Sequence, residues 1–197
     1  MCTEVQYYAK GLIRIRAFIG IDFDNECKKY IYGLQQKFRS YSVKGRWKYS
    51  GNFHLTLKFL AEITMDQKKS LDAALAEICA SHSPFMLDIS EIGIFPGKGL
   101  VRVLWLGLGG DTNALGKLAA EIDNCTSSLG FPAEARRYTP HITIGQDVVF
   151  DRPFDEIKTL VGNPSWGPVM VNSVELFRSE QIGNKRVYTK ISEYGLK

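Results

Sequence analysis

Apolar and polar residues alternate with a period of two in several short runs of this chain, and two of those runs carry the same chemistry. Phe53-His54-Leu55-Thr56-Leu57-Lys58-Phe59-Leu60 and Pro140-His141-Ile142-Thr143-Ile144-Gly145 are each built on a His-x-Thr-x unit. Successive side chains of a β-strand point to opposite faces, so each run would set His and Thr on one face and Leu or Ile on the other. The polar face of each strand then carries an imidazole beside a hydroxyl.

The rest of the pattern gives these strands a context. Residues 12–23 read as a strand, and Asp24-Asn25-Glu26 starts a helix that ends near Arg39. The order recurs with a strand over 53–60 and a helix over 65–81, where Leu71, Ala74, Leu75 and Ile78 fall at helical spacing. Together these are two β-α units. Runs 85–95 and 100–108 form a hairpin turned by Pro96-Gly97-Lys98-Gly99, and Asp111 opens a helix to about Leu129 that Gly130 and Pro132 close. The second motif strand spans 139–147, a short helix follows over 154–161, and a last pair, 169–181 and 186–194, turns at Gly183-Asn184. The expectation is one α+β domain over residues 1–197, bilobal, with one His-x-Thr strand in each half and a cleft between them. Residues 1–11 read as an extension ahead of the first strand.

Composition narrows the function classes. With 197 residues, 45% apolar, the chain can bury a core, which argues against disorder or a fibre. The formal net charge of +4 suits an anionic substrate but is shared by many soluble proteins. Cys2, Cys27, Cys79 and Cys125 are scattered without C-x-x-C spacing, so they read as thiols in a reducing cytoplasm rather than a zinc site or a disulfide framework. Arg14, Arg16 and Asp22 interrupt the first apolar stretch, which is too short and too charged for a membrane span, and no signal peptide is expected.

A single histidine on a strand is more often structural than catalytic. Here two of only three histidines recur in matched settings 87 residues apart, which reverses those odds. Near neutral pH one imidazole can accept a proton while another donates one, the pair needed to open a cyclic phosphodiester. Thr56 and Thr143 would share those faces and donate hydrogen bonds to non-bridging phosphate oxygens, and no metal or other cofactor is called for. His82 sits at an expected helix end, where capping carbonyls account for it. Gly93–Gly99 lacks the phosphate-loop spacing, and Gly107-Leu108-Gly109-Gly110 fails the dinucleotide pattern. Lys44, Arg46, Trp47, Lys48 and Tyr49 precede the first motif, and Arg136, Arg137 and Tyr138 precede the second, which suits a polyanion although solvated loop charge explains the first cluster about as well. Trp105 reads as core rather than as a stacking platform.

On these residues, with Arg16-Ala17-Phe18-Ile19-Gly20-Ile21, Arg46-Trp47, Phe95-Pro96, Arg102-Val103-Leu104-Trp105-Leu106-Gly107 and Tyr138-Thr139-Pro140 in the same order, the chain resembles the 2H phosphoesterase superfamily from Ile13 onward. Within it, the likeness is to the RNA 2′,3′-cyclic phosphodiesterases, also called 2′-5′ RNA ligases. The resemblance implies two pseudo-symmetric halves, each with an antiparallel sheet, and metal-independent opening of a 2′,3′-cyclic phosphate to a 2′-phosphate. It implies His54 as proton donor to the 3′ oxygen and His141 as acceptor from water, roles the sequence alone leaves interchangeable. Arg16, Arg46, Arg136, Arg137 and Tyr138 are further substrate-binding candidates. Many relatives end the second motif in Leu-Ala-Arg where this chain has Ile144-Gly145-Gln146, so Arg136, Arg137 or Arg16 would have to supply that charge.

Three functions fit this reading: hydrolysis of a cyclic phosphate at an RNA end or on a small nucleotide, 2′-5′ ligation or cleavage at the same site, and an RNA-end-binding module without turnover. Completeness of both motifs favours catalysis, since a binder could lose either histidine. The partners expected are RNA ends or small cyclic nucleotides, with no membrane, and the chain is expected to act as a monomer.

Overall fold

The computed structural model describes residues 14–197, so the expected extension over 1–11 and Cys2 lie outside the described residues. Strand β1 (Arg14–Asp22) leads to helix α1 (Asn25–Ser40), which starts where the Asp24 carboxylate accepts the Cys27 N–H at 2.7 Å. Strand β2 (Ser42–Trp47) and a 3-10 turn (Ser50–Asn52) precede β3 (His54–Thr64). A capping box opens α2 (Met65–Ala80): Thr64 accepts from the Gln67 N–H and the Gln67 side chain accepts from the Thr64 N–H. The hairpin of β4 (Phe85–Gly97) and β5 (Leu100–Gly110) turns at Gly99, whose φ of +69° favours glycine. Helix α3 (Thr112–Ser128) is capped by Asp111, and β6 (His141–Phe150), α4 (Phe154–Val161), β7 (Trp166–Val171), β8 (Ser173–Ile182) and β9 (Lys185–Gly195) complete the order.

Two antiparallel sheets result, one ordered β3-β1-β8-β9 and the other β2-β6-β5-β4-β7. The α+β class and the placing of one motif strand in each sheet match the sequence expectation. The sheets are not successive stretches of chain, however. β2 crosses to the second sheet and pairs with β6, while β8 and β9 return to the first beside β1. Helices cross as well: α1 packs on β2, β6 and β7 with α4, whereas α2 and α3 cover β3. The two β-α units read from sequence are therefore units of order, not of packing. The reason lies in α1, whose buried face of Cys27, Ile31, Leu34 and Phe38 also carries Gln35, hydrogen-bonded to the second sheet.

Two other expectations need correction. Val43-Lys44-Gly45-Arg46-Trp47 is a strand and not a loop, its register fixed on β6. The run 169–181 is two strands in different sheets, parted at Asn172, whose carbonyl accepts the Leu196 N–H at 2.8 Å. Among the described residues no helix is long and apolar enough to cross a membrane.

Candidate active site

Both motif strands begin as the alternation predicts. Leu55, Leu57, Ile142 and Ile144 are buried, while His54, Thr56, His141 and Thr143 are partly exposed. Each strand then breaks its pairing at the same place, directly after its threonine. On β3, Gly20 pairs with Thr56 but Ile19 pairs with Lys58, leaving Leu57 as an extra residue. On β6, Trp105 pairs with Thr143 but Leu104 pairs with Gly145, leaving Ile144 as an extra residue. A bulge of this kind adds local twist and re-aims the side chains next to it.

The bulges reverse the alternation beyond them. Lys58, expected on the histidine face, is instead 5% exposed and reaches the Asp123 carboxylate on α3 and the Pro132 carbonyl. Phe59 moves to the histidine face, its ring 6.1 Å from Phe18. On β6, Gln146 is carried to the side of its partners Val103 and Arg46. Arg46 is therefore the cation directly across from Gln146, and its guanidinium pairs with Asp147. Sequence reasoning had offered Arg136, Arg137 or Arg16 for that place.

The two imidazoles are held alike. Nδ1 of His54 lies 2.7 Å from the Asn52 carbonyl oxygen, and Nδ1 of His141 lies 2.7 Å from that of Thr139, in each case two residues back. A carbonyl oxygen only accepts, so Nδ1 carries the proton and Nε2 of the neutral ring is left as acceptor. An aromatic edge braces each ring: Tyr188 stands 5.1 Å from His54 at 89°, and Phe95 stands 5.1 Å from His141 at 86°. Phe18 and Phe177 complete the wall around His54, while Trp105 lies 6.3 Å from His141. Trp105 is thus a half-buried wall of the site and not core, seated across Gly93, where a Cβ would meet its ring at 2.1 Å.

The environments of the two histidines differ. Burial pushes His54 down from 6.5 to about 4, the Asn52 carbonyl and Asp22 oppose the shift, and Lys48 and Lys28 add to it. His54 is therefore neutral at neutral pH in the free protein, with Nε2 3.0 Å from the Thr56 hydroxyl.

The sheets meet at this point. The Tyr138 hydroxyl, just ahead of His141, donates to the Thr56 carbonyl at 3.1 Å, so the lead-in to the second motif is fastened to the strand of the first. Burial raises the Tyr138 phenol far above its ordinary range. Its hydrogen bond makes it a latch rather than a free ligand group. Arg136 and Arg137 are exposed on the same segment, and Arg16 is exposed on β1 and acts electrostatically on Tyr188. Among these described residues only the Tyr138 side chain hydrogen-bonds to the first motif strand, and Arg46 pairs with Gln146 at the end of the second.

Sequence reasoning missed Asn52 and Gln35. Asn52 is buried, donates to the Arg186 carbonyl at 2.7 Å and accepts the Tyr188 N–H at 3.2 Å, clamping β9 to the turn whose carbonyl orients His54. Gln35, 1% exposed, donates at 2.8 Å to the carbonyls of both Lys48 and Ile144, satisfying the bulge residue of β6 and tying it to the chain entering β3. Nothing in the sequence marks either amide as buried or names its partners. His82 pairs with Glu121 at 2.8 Å rather than capping carbonyls. Cys27 and Cys79 are buried, and burial pushes their thiols up to about 12 and about 11. Among the described residues no group of three or more His, Cys, Asp or Glu gathers as metal ligands.

The two antiparallel sheets, with β3 at the edge of one and β6 between β2 and β5 in the other, form a fold shared with solved structures. Escherichia coli LigT complexed with 3′-AMP superposes with a TM-score of 0.78 at 24% identity, covering 93% of this chain and 99% of that one. TT0787 of Thermus thermophilus superposes at 0.77 with 22% identity, covering 92% and 98%. The family model of the 2′-5′ RNA ligase superfamily matches residues 36–182, and the chain belongs to that superfamily. Among curated relatives, the RNA 2′,3′-cyclic phosphodiesterase of Methanocaldococcus jannaschii is 30% identical over 183 residues, 91% of this chain and all of that protein. The enzyme of the same name from Methanothermobacter thermautotrophicus is 27% identical over 187 residues, 93% of this chain and all of that protein.

Proposed function

We propose that this chain hydrolyses the 2′,3′-cyclic phosphate of an RNA end or a small nucleotide to a 2′-phosphate, with His54 and His141 as the acid and base. The observation that carries this reading is the matched pair of imidazoles, each with Nδ1 fixed on a backbone carbonyl at 2.7 Å and Nε2 left for chemistry, on strands latched together by Tyr138. Relatives named for this activity support it.

In the proposed reaction a water loses its proton to one imidazole as its oxygen bonds to phosphorus. The bond from phosphorus to the 3′ oxygen breaks, and the other imidazole protonates that oxygen. Thr56 and Thr143 donate to the non-bridging oxygens, where charge accumulates. His54 is the donor in this scheme and the more open His141 activates water. A donor must be charged, whereas burial keeps His54 neutral at rest. The phosphodiester anion resolves the conflict: at ~4 Å and an effective dielectric near 20 it attracts an imidazolium by about 4 kcal/mol, enough to offset the effect of burial.

The test is incubation of chelator-treated protein with a short RNA ending in a 2′,3′-cyclic phosphate, with the product identified by chromatography against standards. A 2′-phosphate at an unchanged rate after chelation is the expected result. A 2′-5′-joined product would give the site to ligation, and binding without turnover would make it an RNA-end-binding module. Inhibition by chelation would restore a metal mechanism.

A further inference from the structure

The terminal hairpin brings cations beside Lys48 and Tyr49, in the chain that leads into the first motif. Lys48 lies close enough to His54 to repel its proton, and it is itself held below the ordinary lysine range by burial and by the charges of Arg46 and Arg186. Arg186 comes from β9, 138 positions later, and is placed by Asn52, which takes its backbone carbonyl and leaves its side chain exposed. Lys185, its neighbour, stands 5.9 Å from the centre of the Tyr49 ring, and that ring is 58% exposed. Among the described residues Lys48, Lys185 and Arg186 make no ion pair with a carboxylate, whereas Arg46 is neutralised by Asp147. Like charges gathered without counter-charge around a half-buried lysine favour an anion as the missing partner, and an exposed aromatic face beside them suits a base.

We infer that Lys48, Lys185 and Arg186, with Tyr49, form a second anion seat next to His54 for a phosphate on the 5′ side of the nucleoside that bears the cyclic phosphate. The inference rests on the cyclic-phosphate reading of the histidine site and adds what that site selects: a 5′-phosphorylated nucleoside end over an unphosphorylated one. That phosphate comes either from the next linkage of an RNA strand or from a free nucleotide.

Three substrates test it: a nucleoside 2′,3′-cyclic phosphate, the same compound with a 5′-phosphate, and a dinucleotide ending in the cyclic phosphate. The wild-type chain is expected to show kcat/KM about tenfold higher for the last two. In the Lys185→Gln/Arg186→Gln double variant that ratio should fall to about two or less. Preference for the dinucleotide alone assigns the seat to an RNA strand, and equal preference assigns it to any 5′-phosphate. For the preferred substrate, raising salt from 50 to 200 mM should weaken binding about 2.5-fold per phosphate contact, with one contact fewer in the variant. A wild-type enzyme without preference, or an unchanged ratio in the variant, overturns the inference. Calorimetric titration of the corresponding 2′-phosphate products reads the same ratio without turnover, so an inactive protein whose variant still loses the ratio would retire the catalytic proposal and keep the seat.

Discussion

A ring whose Nδ1 faces a carbonyl oxygen has its neutral tautomer chosen for it, and both histidines here are in that position. Removing either imidazole, His54→Ala or His141→Ala, should lower turnover by roughly two to four orders of magnitude while leaving product affinity nearly intact. A substrate with a strongly acidic leaving group separates the roles: it needs no donor, so His54→Ala should lose far less on it than His141→Ala. The reverse ranking would exchange acid and base. In the proposed mechanism the working state holds one proton across the pair, and its acid limb would appear when a second proton binds. That limb belongs to His54, which burial lowers to about 4. The kcat/KM profile should therefore stay high at pH 5, where two ordinary histidines would both be charged, and an acid limb near 6.5 would contradict it. The same shift acts on stability. Since the unfolded chain binds the His54 proton at about 6.5 and the folded one only near 4, unfolding takes up a proton between those values, and stability falls as pH drops through the window. His54 alone should account for about 3 kcal/mol of that loss, read by denaturant titration at pH 7 and pH 4 against a His54→Gln variant.

At the scale of the element, the bulges at Leu57 and Ile144 decide what the strands present, and nothing in the alternation of either run announces them. Period-two patterning was enough to place His54, Thr56, His141 and Thr143 on open faces. It failed for Lys58 and Gln146 because an extra residue reverses every position beyond it. β2 escaped notice because Lys44, Gly45 and Arg46 carry weak strand propensity, and its register comes from β6 instead. The hairpin cations and the Asn52 clamp were invisible for another reason: their partners lie about 134 positions away and meet only in the fold. The clamp makes its own prediction. Asn52→Ala deletes both bonds to β9 and leaves a partly buried carbonyl and N–H without their protein partner, at a cost of about 1–2 kcal/mol. Because Asn52 orients His54 without touching the reacting atoms, kcat should fall tenfold or more with KM little changed, and Asn52→Asp, which keeps the acceptor for Tyr188, should recover part of it. A change in melting temperature with kcat intact would leave Asn52 a purely structural residue.

Across the whole molecule, the proposed chemistry depends on how one sheet sits on the other, since each would supply one histidine. Two fastenings set that relation from the β3 side. Tyr138 donates to the Thr56 carbonyl, and Lys58 holds the Pro132 carbonyl together with Asp123, which in turn accepts the Glu134 N–H at 3.2 Å. Both act on the single segment that delivers His141. Tyr138→Phe should cost about 1 kcal/mol of stability, and Lys58→Met about 2 kcal/mol, because Asp123 is partly solvated and keeps its backbone partner. Groups that restrain the same segment do not act independently, so the double variant should depart from additivity by at least about 0.5 kcal/mol in the activation free energy taken from kcat as well as in stability. Coupling confined to stability would mean that the fastenings hold the fold but not the spacing of the imidazoles. Coupling in kcat as well ties the rate to the seam between the sheets, because neither side chain reaches the reacting atoms and the only thing the two share is the path from Thr56 to His141.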